Sequence, residues 1–121
     1  MSARAPKDTD FFVTLPDVGD FIFARRTLGD AMKIRGRYLR LLGESGAGDT
    51  EEPDPELSGY ANVIATIAVL LVKAPSAQWA DPQAIDLIGN PQALDQIVSL
   101  YTLLSEAEDS FRHQAAGPSA A

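Results

Sequence analysis

The chain has 121 residues, 17 acidic and 10 basic, which leaves a formal net charge of −7. That length supports one domain, and the acidic balance argues against nucleic acid as a partner, since phosphate contacts need a basic surface. There is no cysteine, so disulfides, thiolate nucleophiles and cysteine-based zinc sites are excluded together.

Residues 1–9, MSARAPKDT, are polar, lack the apolar run of a secretory signal and read as a flexible leader. Two strand-like runs follow, Phe11–Leu15 and Asp20–Arg25, rich in Phe, Val and Ile and split by a turn sequence. A three-residue loop, Asp17-Val18-Gly19, with the glycine left-handed, sets Leu15 opposite Phe21, Val13 opposite Phe23 and Phe11 opposite Arg25. One face of the hairpin then carries Phe11, Val13, Leu15, Phe21 and Phe23. The other carries Phe12, Thr14, Ile22 and Ala24. Two strands alone are marginal in water, so a hairpin apolar on both faces requires cover from helices, from a partner, or from both.

Thr27 and Asp30 have the spacing of a capping box, with Asp in place of the usual Glu or Gln. The helix they open is predicted over about 28–42, with Leu28, Ala31, Met32, Leu39 and Leu42 on its inner stripe, Arg35 interrupting it and Gly43 ending it. Residues 43–54, GESGAGDTEEPD, read as a flexible acidic linker. Asp54-Pro55, Asp81-Pro82 and Asn90-Pro91 each place a capping side chain before a proline. They predict helices at about 55–73, 82–88 and 91–112, with Gly89 ending the short one. Leu94, Ile97, Val98, Tyr101, Leu104 and Phe111 recur at helical spacing in the last. Val63 to Val72, the longest apolar run, falls well short of the ~20 residues that span a bilayer and is expected to be a buried helix; no membrane association is expected. The fold class is therefore mainly α, an N-terminal β-hairpin (about 11–25) followed by three to four helices. These form a single small domain over 10–113 that ends in a disordered tail, 114–121.

No catalytic, cofactor-binding or metal-ligating residue emerges. The single histidine, His113, stands at the end of the last helix, where its charge suits the dipole, without the partners of a triad or metal site. GESGAGDT lacks the Gly-Lys-Ser/Thr of a phosphate loop, and Asp49, Glu51, Glu52, Asp54 and Glu56 do not follow the spacing of a calcium loop. Trp79 is either a partner-binding anchor or a lid over the end of the core. The basic residues are the most informative. Arg25, Arg26, Lys33, Arg35, Arg37 and Arg40 are six of the ten in the chain, and Asp30 is the only acid among them. This cationic helix in an anionic protein would take the acidic linker across it, face solvent, or dock an acidic partner.

The segment FxVxLPxVGxFxFxRRT followed by TLxD resembles the start of small tail assembly chaperones of long-tailed bacteriophages and prophages. The matching residues are Phe11, Val13, Leu15, Pro16, Val18, Gly19, Phe21, Phe23, Arg25, Arg26, Thr27, Leu28 and Asp30. The late EDSFR, Glu108 to Arg112, is similar to the way such sequences end. The resemblance covers the first quarter and, loosely, the last helix. It implies a non-enzymatic protein of the host bacterial cytoplasm, without cofactors, that binds the tape-measure protein, and also the tail-tube protein, during tail morphogenesis. It further implies self-association. Phe12, Ile22, Arg25, Arg26, Arg35 and Arg37 are the expected partner-binding residues. Two other readings stand beside it: a structural minor tail or head–tail connector subunit, and a small acidic regulator or inhibitor.

Overall fold

A computed structural model describes residues 7–44 and 55–116. Strands β1 (Phe11–Leu15) and β2 (Gly19–Phe23) form an antiparallel hairpin. Helix α1 (Leu28–Glu44) follows, then α2 (Pro55–Leu70), a three-residue strand β3 (Leu71–Lys73), two short 3-10 turns and the long α3 (Ala93–Ala116). The sheet has the order β1-β2-β3. The architecture is thus mainly helical with an N-terminal sheet, as the residue pattern predicts.

The hairpin register differs from the predicted one by two residues: Leu15 pairs with Gly19, Val13 with Phe21 and Phe11 with Phe23. The turn explains the shift. Val18 N–H donates to the Leu15 carbonyl at 3.1 Å, with Pro16 and Asp17 as its central residues. Pro16 supplies the fixed φ of the first central position, and Asp17 takes the positive φ of 68° at the second, the arrangement of a type II turn. Gly19 therefore lies at the start of β2 rather than in the loop. Because side chains alternate with period two, a two-residue slip leaves the faces unchanged. Phe11, Val13, Leu15, Phe21 and Phe23 are all buried.

Their face is the floor of the core. The Phe21 ring meets Trp79 edge-on at 5.6 Å, and Phe11 meets Phe111 of α3 edge-on at 5.0 Å, geometries that suit the ring quadrupole. Trp79 is buried, so it is the lid over this end of the core. From α2 come Ala61, Val63, Ala65, Ile67 and Leu70, buried on most of the helix circumference because both α1 and α3 pack on it. The hydroxyl of Thr66, the one buried polar residue among those described, donates to the Asn62 carbonyl at 2.8 Å and so carries no unpaired group into the core. Ile97, Leu100 and Leu104 close the core from α3.

The capping box at the start of α1 is formed as predicted. Asp30 N–H donates to Thr27 Oγ1 and Thr27 N–H donates to Asp30 Oδ2, each at 3.1 Å. The inner stripe of α1 is the predicted one only in part, at the buried Leu42 and the half-buried Ala31. Ile34, Leu41 and Leu42 are buried and Tyr38 packs beside them, whereas Leu28, Met32 and Leu39 face outward. Gly43 lies inside the helix, so it is not the stop, and residues 43 and 44 of the expected linker are helical. Linker residues 45–54, with the Asp54 cap, lie outside the described residues, as do 1–6 of the leader. Leader residues 7–9 enter a turn closed by Asp10 N–H to the Lys7 carbonyl at 3.0 Å.

Three predicted helices have other limits. The helix expected over 55–73 stops at Leu70 because Leu71–Lys73 pair with β2, Phe23 opposite Leu71 and Ile22 opposite Lys73, through a register irregularity. Ala24 N–H donates to the Leu70 carbonyl at 2.8 Å. This third strand covers an edge that two strands would leave open. The helix expected over 82–88 is only a 3-10 turn at Pro82–Ala84, capped by Asp81 as predicted. It ends where Ile85 turns to an extended backbone (ψ 129°), and beyond it Asp86 Oδ1 accepts from Ile88 N–H at 2.9 Å, a local side-chain bond that competes with helical pairing. The last helix begins at Ala93 rather than residue 91 and continues to Ala116, so residues 114–116 of the expected disordered tail are helical.

Candidate functional site

The predicted partner-binding residues divide into two groups. Phe12 lies on the outward face of β1, 69% exposed, and pairs with the half-buried Ile22 of β2. Thr14 Oγ1 donates to Asp20 Oδ1 at 2.6 Å farther along the same face. No helix among the described residues covers the Phe12 ring, because the alternation that buries Phe11 and Val13 turns Phe12 the other way.

The arginines are mostly engaged within the chain. Arg26 donates through Nε and Nη2 to the two carboxylate oxygens of Glu108 on α3, at 3.1 and 3.0 Å. This is the paired geometry that suits a guanidinium. The Arg25 guanidinium lies 4.3 Å from the centre of the Phe111 ring. Together with the Phe11–Phe111 contact, these interactions latch the second half of α3 to the hairpin. Arg37 donates to Gln83 Oε1 at 3.0 Å, and its Nε is buried without a partner among the described residues. Arg35 is exposed, its guanidinium 5.3 Å from the Tyr38 ring. The structure therefore brings Phe12 and Ile22 together on one surface and Arg25 and Arg26 together in a latch. It keeps Arg35 and Arg37 apart from both, on α1.

A second outward surface lies on α1 and was missed as a surface in the sequence reading, which turned the same residues inward. Leu28 is 81% exposed, Met32 69% and Leu39 52%. Lys33, Arg35 and Arg40 are exposed on the same helix, Arg35 between Met32 and Leu39. The available signal was that the helix carries two apolar stripes, of which one helix can bury only one against a single neighbour.

Among the described residues, no group of three or more His, Asp or Glu side chains is placed to hold a metal ion. No helix among them is long and apolar enough to cross a membrane. His113 is exposed, its Nδ1 2.8 Å from the Asp109 carbonyl. What the described surface offers chemically is contact: an aromatic-bearing sheet face and an apolar, cationic helix face. No protein-family model matches the chain, and no curated protein and no solved structure is significantly similar to it.

Proposed function

We propose that the chain is a tail assembly chaperone of a long-tailed phage or prophage. In this reading it is a non-enzymatic protein of the host bacterial cytoplasm. It binds the tape-measure protein, and the tail-tube subunit, before the tube polymerises, and it associates with further copies of itself. The observation that carries the reading is the outward face of the hairpin. Phe12 stands exposed there, on the same segment whose sequence resembles these chaperones. A large aromatic held in water by a well-packed hairpin suits a protein whose work is binding.

The test is co-expression with the long helical protein encoded beside it, followed by a pull-down through a tag on this chain. Retention of that protein, weakened by Phe12→Asp, is the expected result. Failure of the tape-measure-like protein to co-purify with the folded wild-type chain overturns the proposal.

A further inference from the structure

We infer that the outward face of α1 is a docking site for an acidic amphipathic helix. Under the function proposed above, this names the chemistry of the client segment.

The fold itself uses only one stripe of α1. Ile34, Tyr38, Leu41 and Leu42 face the core. Leu28, Met32 and Leu39 stand at i, i+4 and i+11, about a third of a turn round the helix from that stripe. They make an outward stripe roughly 17 Å long, three turns at ~1.5 Å per residue, with Arg35 between Met32 and Leu39. Spacing of this kind is matched by another helix with apolar residues on one side, the helix-in-groove mode of recognition. An extended strand would set its contacts with period two instead. Beside the stripe, no other side chain among the described residues crowds Gly36 or Gly43: none of their atoms comes within 4 Å of where a Cβ would sit. A partner helix can therefore approach the α1 backbone closely.

Charge decides the occupant. Arg35, between Met32 and Leu39, lies at the edge of the stripe, and Arg40 and Lys33 are exposed about a quarter to a third of a turn round the helix from it. Of the two acids on the helix, the Asp30 carboxylate is occupied by the Thr27 N–H of the capping box, and Glu44 lies at the far end. A second copy docking through the same stripe would bring one cationic face against another, a like-charge arrangement that opposes association. A partner bearing Asp or Glu beside its apolar stripe meets attraction instead, and gains a faster encounter.

The test uses the full chain and a fluorescein-labelled synthetic peptide of about three heptads, with Leu at the a and d positions and Glu at the remaining charged ones. A second peptide carries Lys at every Glu position. Anisotropy should report saturable binding of the Glu peptide, at least about tenfold tighter than that of the Lys peptide, and weakening with added salt. Met32→Glu and Leu39→Glu, both at exposed positions that leave the core intact, should each weaken it by about tenfold or more. Arg35→Glu with Arg40→Glu should do the same, with unchanged circular dichroism. No binding of the Glu peptide, equal binding of the two peptides, or indifference to Met32→Glu would overturn the inference. So would sedimentation showing that the chain self-associates through this stripe, with Met32→Glu dispersing it. In the pull-down, Met32→Glu should also lose the tape-measure-like protein. Retention of that protein by Met32→Glu but not by Phe12→Asp would defeat the α1 site while leaving the proposed function intact.

Discussion

Gly19→Ala should be among the most damaging single-methyl additions in this chain, and the reason can be divided in two. Gly19 has φ of 138°, a conformation that an L side chain rarely adopts and that costs about 1–3 kcal/mol to enforce. A Cβ built there would also lie 2.8 Å from Cβ of Pro75 and 3.4 Å from its Cγ. Relieving that overlap means moving the start of β2 or the Pro75 loop by more than half an ångström, at about 1–3 kcal/mol for a packed site. The sum is about 2–6 kcal/mol. With a urea m-value on the order of 1.5 kcal/mol/M, a loss of about 3 kcal/mol lowers the unfolding midpoint by about 2 M. A double-mutant cycle with Pro75→Gly separates the two causes, because removing the proline ring relieves the overlap and leaves the dihedral strain. Gly36→Ala is the control. It lies mid-helix with nothing within 4 Å of the added carbon, and should stabilise by up to about 1 kcal/mol. A Gly19→Ala cost below about 0.5 kcal/mol, or a coupling to Pro75→Gly indistinguishable from zero, would refute the reasoning.

Other substitutions separate residues that hold the fold from residues that face a partner. Arg26→Ala breaks the two-point contact to Glu108, whose side chain is only 11% exposed, and should cost about 1–2 kcal/mol in urea unfolding. Arg35→Ala, at an exposed position, should stay within about 0.5 kcal/mol. Trp79→Ala opens the lid against Phe21 and should cost about 3–5 kcal/mol, detectable as a drop in thermal midpoint with loss of near-ultraviolet aromatic signal. Phe12→Asp should leave stability within about 0.5 kcal/mol by the same denaturation while sharply reducing capture of the tape-measure-like protein. A large stability loss would mean that the Phe12 face is covered by this chain itself.

The features legible in the sequence are those set by short-range rules. Period-two alternation assigned all five inward hairpin residues, and it survived a wrong register because the error was an even number of residues. The Thr27–Asp30 capping box and the Asp81 cap were read from spacing alone, since both bonds join residues two or three apart. The errors fall where distant parts of the chain compete. Leu71–Lys73 continue a helical pattern, but the open edge of β2 recruits them as a strand. Asp86 looks neutral in a short helix until its carboxylate takes the Ile88 N–H. Arg25 and Arg26 read as surface cations because nothing local indicates that Glu108 and Phe111, more than eighty residues away, will meet them.

The misassigned stripe of α1 is a different kind of error. Leu28, Met32 and Leu39 satisfy the same periodicity as Ile34, Tyr38, Leu41 and Leu42, and a single helix gives no reason to prefer one set. What decides is α2, whose apolar surface continues round most of its circumference and accepts the second set, with its aromatic and β-branched bulk. That leaves the first set outside, with three exposed cations on the same helix. Exposing large apolar side chains is a cost to solubility with no gain in folding, and among the described residues the cost falls on Phe12 of the sheet, on the outward stripe of α1, and on Leu87, Ile88, Leu94 and Val98 at and before the start of α3. The first two belong to the N-terminal third, which also holds the main part of the sequence resemblance. If the two surfaces grip one client together, Phe12→Asp and Met32→Glu should be more than additive in their loss of capture, since each site raises the effective concentration of the client at the other. Loss of capture from only one of the two substitutions, with the double variant no worse than that single one, would instead assign the surfaces to separate partners.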